Sequence, residues 1–90
     1  MIRRLLVAGR VQGVWYRGWT VDQARALGLD GWVRNRRDGS VEILASGPDA
    51  AIGALIERCR QGPPAARVDD VAVAEAEEPV APGFTQRPTA

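Results

Sequence analysis

The 90-residue chain has no histidine and no lysine. The first absence removes the commonest general base and metal ligand at neutral pH. The second removes lysine Schiff-base and lysine–phosphate chemistry, because all twelve basic residues are arginine. There is a single cysteine, Cys59, which excludes an internal disulfide and a cysteine-rich zinc site. No apolar run approaches the ~20 residues of a membrane span. The short run Leu5–Ala8 stops at Gly9-Arg10, too soon for the core of a secretory leader. Repeats, low-complexity tracts and linkers are lacking as well. The expectation is one domain over residues 1–90, cytoplasmic and monomeric, with no metal or other cofactor.

Hydrophobic residues make up 46% of the chain, enough for one core. A domain of this size buries only about 60–65% of its unfolded surface. Net charge is +1 but unevenly spread. Residues 1–37 hold eight arginines against two acids, and residues 38–90 hold four against nine. The basic first half raises the local concentration of an anionic ligand, although solvated faces carry such imbalances too.

Periodicity and turn residues give an element order. Arg3–Gly9 reads as a strand. Tyr16–Leu27 reads as a helix with a modest stripe (Tyr16, Trp19, Thr20, Gln23, Leu27), ended by Gly28. Gly31–Asn35 is a second strand, followed by the turn Arg36-Arg37-Asp38-Gly39. Ser40–Ala45 is a third strand, with Val41, Ile43 and Ala45 on one face. Gly47-Pro48-Asp49 opens a second helix. Its stripe Ile52, Leu55, Ile56, Cys59 has core-facing spacing, and Gly62-Pro63-Pro64 stops it. Arg67–Ala76 is a fourth strand and Glu77–Gly83 a loop. Phe84–Arg87 reads as a short fifth strand, and the chain frays from Pro88. The order βαββαβ, plus the weak last strand, is that of an α+β ferredoxin-like sandwich, with two helices on one face of a mostly antiparallel sheet.

The most informative stretch is Gly9-Arg10-Val11-Gln12-Gly13-Val14-Trp15-Tyr16-Arg17. A strand, a glycine-bearing turn, a helix start and an arginine together form an anion cradle. The main-chain N–H groups of Arg10, Val11, Gln12, Gly13 and Val14 point at the ligand, and the helix dipole favours negative charge there. Arg17 adds a planar fork of donors that fits phosphate. The spacing is neither a Walker loop nor a dinucleotide fingerprint. From position alone Arg17 reads rather as a surface arginine, and Asn35 rather as a turn asparagine tolerant of local geometry.

This stretch, with the later Gly31-Trp32-Val33-Arg34-Asn35, resembles the acylphosphatase family. That family carries a Gly-Arg-Val-Gln-Gly-Val-x-[Phe/Tyr]-Arg signature followed by Gly-Trp-Val-Arg-Asn. The likeness continues through Asp38-Gly39-Ser40-Val41-Glu42 and Gly62-Pro63-Pro64-Ala65-Ala66-Arg67-Val68, and spans residues 3–76. The resemblance implies a metal-free hydrolase that splits acyl phosphates into carboxylate and phosphate. It implies that Arg17 binds the substrate phosphate and that Asn35 positions the attacking water. It also implies a small-molecule substrate, with no nucleic acid or membrane partner. The family often has a small or phenylalanine-like residue where this chain has Trp15, so the indole is expected to narrow access.

The chemistry is compatible with so spare a set of residues. A carboxylate leaving group departs without a general acid, and phosphoryl transfer depends on positioning and charge stabilisation. An amide is no base near neutral pH, but it orients water. Other candidate sites are weak. Cys59 completes the stripe of the second helix and reads as a buried structural thiol. Asp69 and Asp70 are adjacent in a strand and point to opposite faces. Arg34, Arg36 and Arg37 read as a solvated basic turn. Trp15, Trp19 and Trp32 read as core or cradle wall. An RNA-binding reading is disfavoured, because the first and third strands hold no aromatic on which bases could stack. The remaining alternative is a non-catalytic phosphate binder or an accessory domain that processes carbamoyl phosphate. The shortness of the chain favours a free-standing enzyme.

Overall fold

The computed structural model describes residues 1–90. In chain order the elements are β1 (Ile2–Arg10), α1 (Tyr16–Ala26), β2 (Asp30–Asn35), β3 (Val41–Ser46), α2 (Asp49–Gln61), β4 (Arg67–Glu75) and β5 (Phe84–Gln86). The sheet order is β4-β1-β3-β2-β5. β5 joins β2 in parallel, and every other pairing is antiparallel. This is the expected ferredoxin-like sandwich, with the weak fifth strand formed.

β1 runs one residue further at each end than the alternation suggested. β3 begins at Val41 rather than Ser40, because Ser40 is held in the preceding turn. Its N–H and hydroxyl both donate to Asp38 Oδ1, at 2.9 and 2.6 Å. The Ser40 hydroxyl, helped by the Ser40 N–H, lowers the Asp38 carboxyl below its usual range.

The helix-facing side of the sheet is apolar by simple alternation. Leu5, Val7, Val33, Val41 and Ile43 have no exposed surface. They meet Ile52, Leu55 and Cys59 of α2, as the spacing required. α1 is rotated from the expected stripe. Its buried residues are Tyr16, Thr20, Val21 and Ala24, while Trp19 and Leu27 pack half-buried at the edge. Thr20 is tolerated inside because its hydroxyl donates to the Tyr16 carbonyl at 2.8 Å.

The two helices are tied at one point. The buried Tyr16 hydroxyl donates to the Cys59 carbonyl at 2.7 Å. Four residues beyond Cys59 stands Pro63, which has no N–H to offer that carbonyl, so the phenol takes the place of the missing helical bond. Burial, with the Cys59 contact, holds the Tyr16 phenol well above its usual range. Burial likewise pushes the Cys59 thiol up to about 11, against a smaller opposing bond from Tyr16. Cys59 is therefore a protonated, buried structural residue.

The opposite face of the sheet corrects one expectation. Arg34 and Arg36 are not simply solvated. They surround Glu42, which lies between them and Arg4: Arg34 Nε donates at 2.8 Å, Arg4 Nε at 2.9 Å and Arg36 Nη1 at 3.4 Å. Arg4 also pairs with Glu78. Arg37 is exposed. Trp32 is buried on this same face, between the guanidinium groups of Arg34 and Arg87 at 4.7 and 4.6 Å from the ring centre.

A second correction concerns the tail. The chain does not fray from Pro88. Arg87 N–H donates to the Val33 carbonyl, Ala90 N–H to the Asn35 carbonyl, and Arg37 N–H to the Ala90 carbonyl, at 2.8, 3.0 and 3.0 Å. The last residues thus extend the β5 contact along β2 and brace Asn35.

Candidate active site

β1 ends at Arg10 and α1 begins at Tyr16, and the five residues between them wrap the end of the sheet. Gly13 turns there with φ 74°, a conformation cheap only for glycine. No atom lies within 4 Å of where its side chain would stand, so the site is left open. Trp15 also takes a left-handed conformation, φ 64° and ψ 22°, as the residue that starts α1. That is uncommon for a bulky side chain and costs of order 1 kcal/mol or more.

The main-chain N–H groups of residues 11–15 have no acceptor anywhere in the protein. α1 starts without a side-chain cap and without an acid in its first turn. Backbone donors are almost always partnered in folded proteins. A run of free donors at a helix N-terminus is an anion receptor.

Of residues 11–15, Val11, Gly13 and Trp15 border a cavity of about 130 Å³, lined also by Tyr16, Arg17, Gly18, Asn35 and Gln86. Arg17 and Asn35 therefore share one cavity, although eighteen positions separate them in the chain. Asn35 is the last residue of β2, opposite Val41 and on the helix-facing side with Val33. Its Oδ1 is buried and has no hydrogen-bond partner. Of the other expected phosphate ligands, Val11 and Gly13 line the cavity, and Arg10, Gln12 and Val14 do not. Arg10 ends β1 beside Arg67.

The Gln12 side chain turns away from the cavity altogether. Its Nε2 donates to the Arg36 carbonyl at 2.7 Å and the Ser40 carbonyl at 2.9 Å. It latches the cradle to the hairpin that follows Asn35. Three other lining residues lay outside the sequence-based set. Tyr16 brings no hydroxyl to the cavity, since that group donates to the Cys59 carbonyl. Gly18 is a glycine inside a helix, which is itself a signal of close approach. Gln86 had no local signal, because β5 reaches the cavity only through its parallel pairing with β2. Among the tryptophans, only Trp15 stands on the cavity wall, and at 64% exposure it is no part of the core.

A ferredoxin-like sandwich with free main-chain donors, one guanidinium and one unpartnered carboxamide around a small cavity defines a phosphate-handling domain that has no acid–base side chain in its site. The family model described as acylphosphatase matches residues 3–86, and the chain belongs to the acylphosphatase family. An acylphosphatase of Rhodospirillum rubrum is 59% identical over 83 residues, covering 92% of this chain and 91% of that one. The crystal structure of acylphosphatase from Bacillus subtilis superposes with a TM-score of 0.90 at 39% identity, covering 97% of this chain and 99% of that one. A segment of full-length HypF, in its phosphate- and nucleotide-bound form, is similar at a TM-score of 0.89 and 28% identity, but this chain covers only 12% of that protein. The chain is an acyl phosphate hydrolase, acting on small acyl phosphates. No helix in it is long and apolar enough to cross a membrane.

Proposed function

We propose that the hydrolysis proceeds by in-line attack of a water held by Asn35 on a phosphorus gripped by the cradle and Arg17. The supporting observation is that Val11, Gly13 and Trp15, whose main-chain N–H groups are free, share one cavity with Asn35, whose buried Oδ1 is unpartnered. The main-chain donors and the Arg17 fork neutralise the equatorial phosphate oxygens. The Asn35 carboxamide accepts a hydrogen bond from water and aims its lone pair at phosphorus. The new P–O bond forms as the bond to the acyl oxygen breaks, and the electron pair leaves on a carboxylate that needs no proton. The water's proton passes to a phosphate oxygen. No metal takes part. Arg10, Gln12 and Val14 stand outside the cavity lining, and the Gln12 side chain instead braces the hairpin.

The test is a set of steady-state assays with excess EDTA. Wild-type protein turns over an acyl phosphate. Asn35→Ala loses about a hundredfold or more in kcat, the size of losing a key oriented group, and is still inhibited by inorganic phosphate. Arg17→Ala loses phosphate inhibition as well. Full activity in Asn35→Ala, or loss of wild-type activity in EDTA, refutes the mechanism. A monomer working in the cytoplasm accompanies this reading. Gel filtration checks the oligomeric state.

A further inference from the structure

We propose that a second groove beside the phosphate cavity seats the acyl part of the substrate, and that the Trp15 indole there selects planar, conjugated acyl groups. The groove has a volume of about 380 Å³. It meets the phosphate cavity along Trp15, Gly18 and Gln86, and continues over Val21, Asp22, Arg25 and Thr85.

The inference rests on the mechanism above and follows from its geometry. In-line displacement sends the leaving group away from the attacking water. Asn35 lines the phosphate cavity and is absent from the groove, as are all residues of the cradle from 10 to 14. An acyl group leaving away from Asn35 therefore has this groove as its open path.

The groove wall indicates which acyl groups it favours. Asp22 and Arg25 carry opposite charges, so the wall has no strong preference for either sign. Neither is committed to an ion pair, and Arg25 is instead anchored through Nε to the Phe84 carbonyl at 3.2 Å. The distinguishing surface is the indole. A side chain added at Gly18 would overlap its Nε1, Cδ1 and Cε2. The pyrrole edge thus lies down on the bare helix backbone, while 64% of the residue stays exposed at the junction of the two spaces. Its left-handed backbone holds it there at some conformational cost. A rigid aromatic surface beside the reacting centre stacks flat acyl groups and gains nothing from small saturated ones.

The experiment compares benzoyl phosphate with acetyl phosphate in wild type, Trp15→Asn, Trp15→Phe and Gly18→Ala. Asparagine tolerates the left-handed backbone, so Trp15→Asn keeps the loop. In that variant the ratio of kcat/KM for benzoyl over acetyl phosphate is expected to fall about three- to tenfold, the worth of one aromatic stack, mainly through KM for the benzoyl ester. Trp15→Phe restores most of the ratio. Gly18→Ala suits a helix better than glycine does, yet it dislodges the indole, so it lowers the ratio with the tryptophan still present. An unchanged ratio in Trp15→Asn overturns the acyl groove while leaving the hydrolase mechanism intact. A wild type that hydrolyses neither ester overturns both.

Discussion

The Gln12 latch gives the sharpest test of how this site is held. One side-chain amide nitrogen donates twice, to the Arg36 and Ser40 carbonyls. Those carbonyls are not orphaned by its removal. Arg36 N–H still donates to the Ser40 carbonyl at 2.9 Å, and Gly39 N–H to the Arg36 carbonyl at 3.1 Å. Gln12→Ala therefore forfeits only two net hydrogen bonds, about 1–2 kcal/mol of stability, rather than the larger penalty of stranded buried acceptors. Turnover is expected to suffer beyond that. The cradle stays local to β1 and α1, while Asn35 belongs to the hairpin, so freeing one from the other loosens the line from water to phosphorus. A fall in kcat of about tenfold, with phosphate inhibition changing much less, is the expected split. Gln12→Glu is worse than Gln12→Ala at neutral pH, because a carboxylate faces two carbonyl oxygens and donates to neither. Acidification protonates it and narrows that gap. Urea unfolding midpoints and steady-state kinetics on the three proteins measure these effects. A Gln12→Ala protein that matches wild type in both refutes the latch.

Tyr16→Phe removes the donor to the Cys59 carbonyl, which Pro63 leaves without a helical partner. It is expected to cost about 1–3 kcal/mol in urea unfolding, with smaller effects on KM than on stability. Glu42→Gln leaves Arg4, Arg34 and Arg36 without their shared counter-charge and is expected to cost about 2–3 kcal/mol, below the range for fully buried pairs because the arginines are partly solvated. The native Glu42 carboxyl feels burial pushing its pKa up, but the bonds and charges of Arg34, Arg4 and Arg36 win and hold it below the ordinary 4.5. A depressed folded-state pKa contributes stability that is fully present above 4.5 and is lost as pH falls through the folded value. Wild type should therefore lose stability below pH 4.5 more steeply than Glu42→Gln does, as thermal unfolding against pH would show.

What the sequence carried openly was whatever local chemistry decides. Asp38-Gly39 marked the hairpin, Gly28 and Gly62-Pro63 closed the helices, and Val41, Ile43 and Ala45 alternated into the core. Arg17 and Asn35 followed from their places beside turns together with the family resemblance. What stayed hidden was long-range. Glu42 is thirty-eight positions from Arg4, and only the β1–β3–β2 register sets both beside Arg34. Gln86 and the ordered tail depend on a parallel pairing with Gly31–Val33 that three residues of β5 cannot advertise. On α1, Tyr16 and Thr20 lie on the expected face, but Val21 and Ala24 complete the buried set while Trp19, Gln23 and Leu27 stay half-buried, because a small alanine permits close packing that its modest hydrophobicity does not advertise.

The site has no imidazole, carboxylate or thiol on its walls, so its chemistry has to come from placement alone. Placement in a chain this small has to come from the sheet. Asn35 is fixed by two sets of main-chain bonds and one side-chain latch. β3 pairs it with Val41, the Ala90 backbone bonds to it and to Arg37, and Gln12 grips Arg36 one residue beyond. The cradle hangs from β1, which pairs with the same β3 strand through Val7 and Val41. Cradle and carboxamide thus hang from neighbouring strands at one end of the sheet, over side chains with no exposed surface. Both sets of ties meet at Val41. A cavity there would loosen cradle and carboxamide together, so under the proposed mechanism the buried core beneath the site sets the geometry on which the two side chains above it depend.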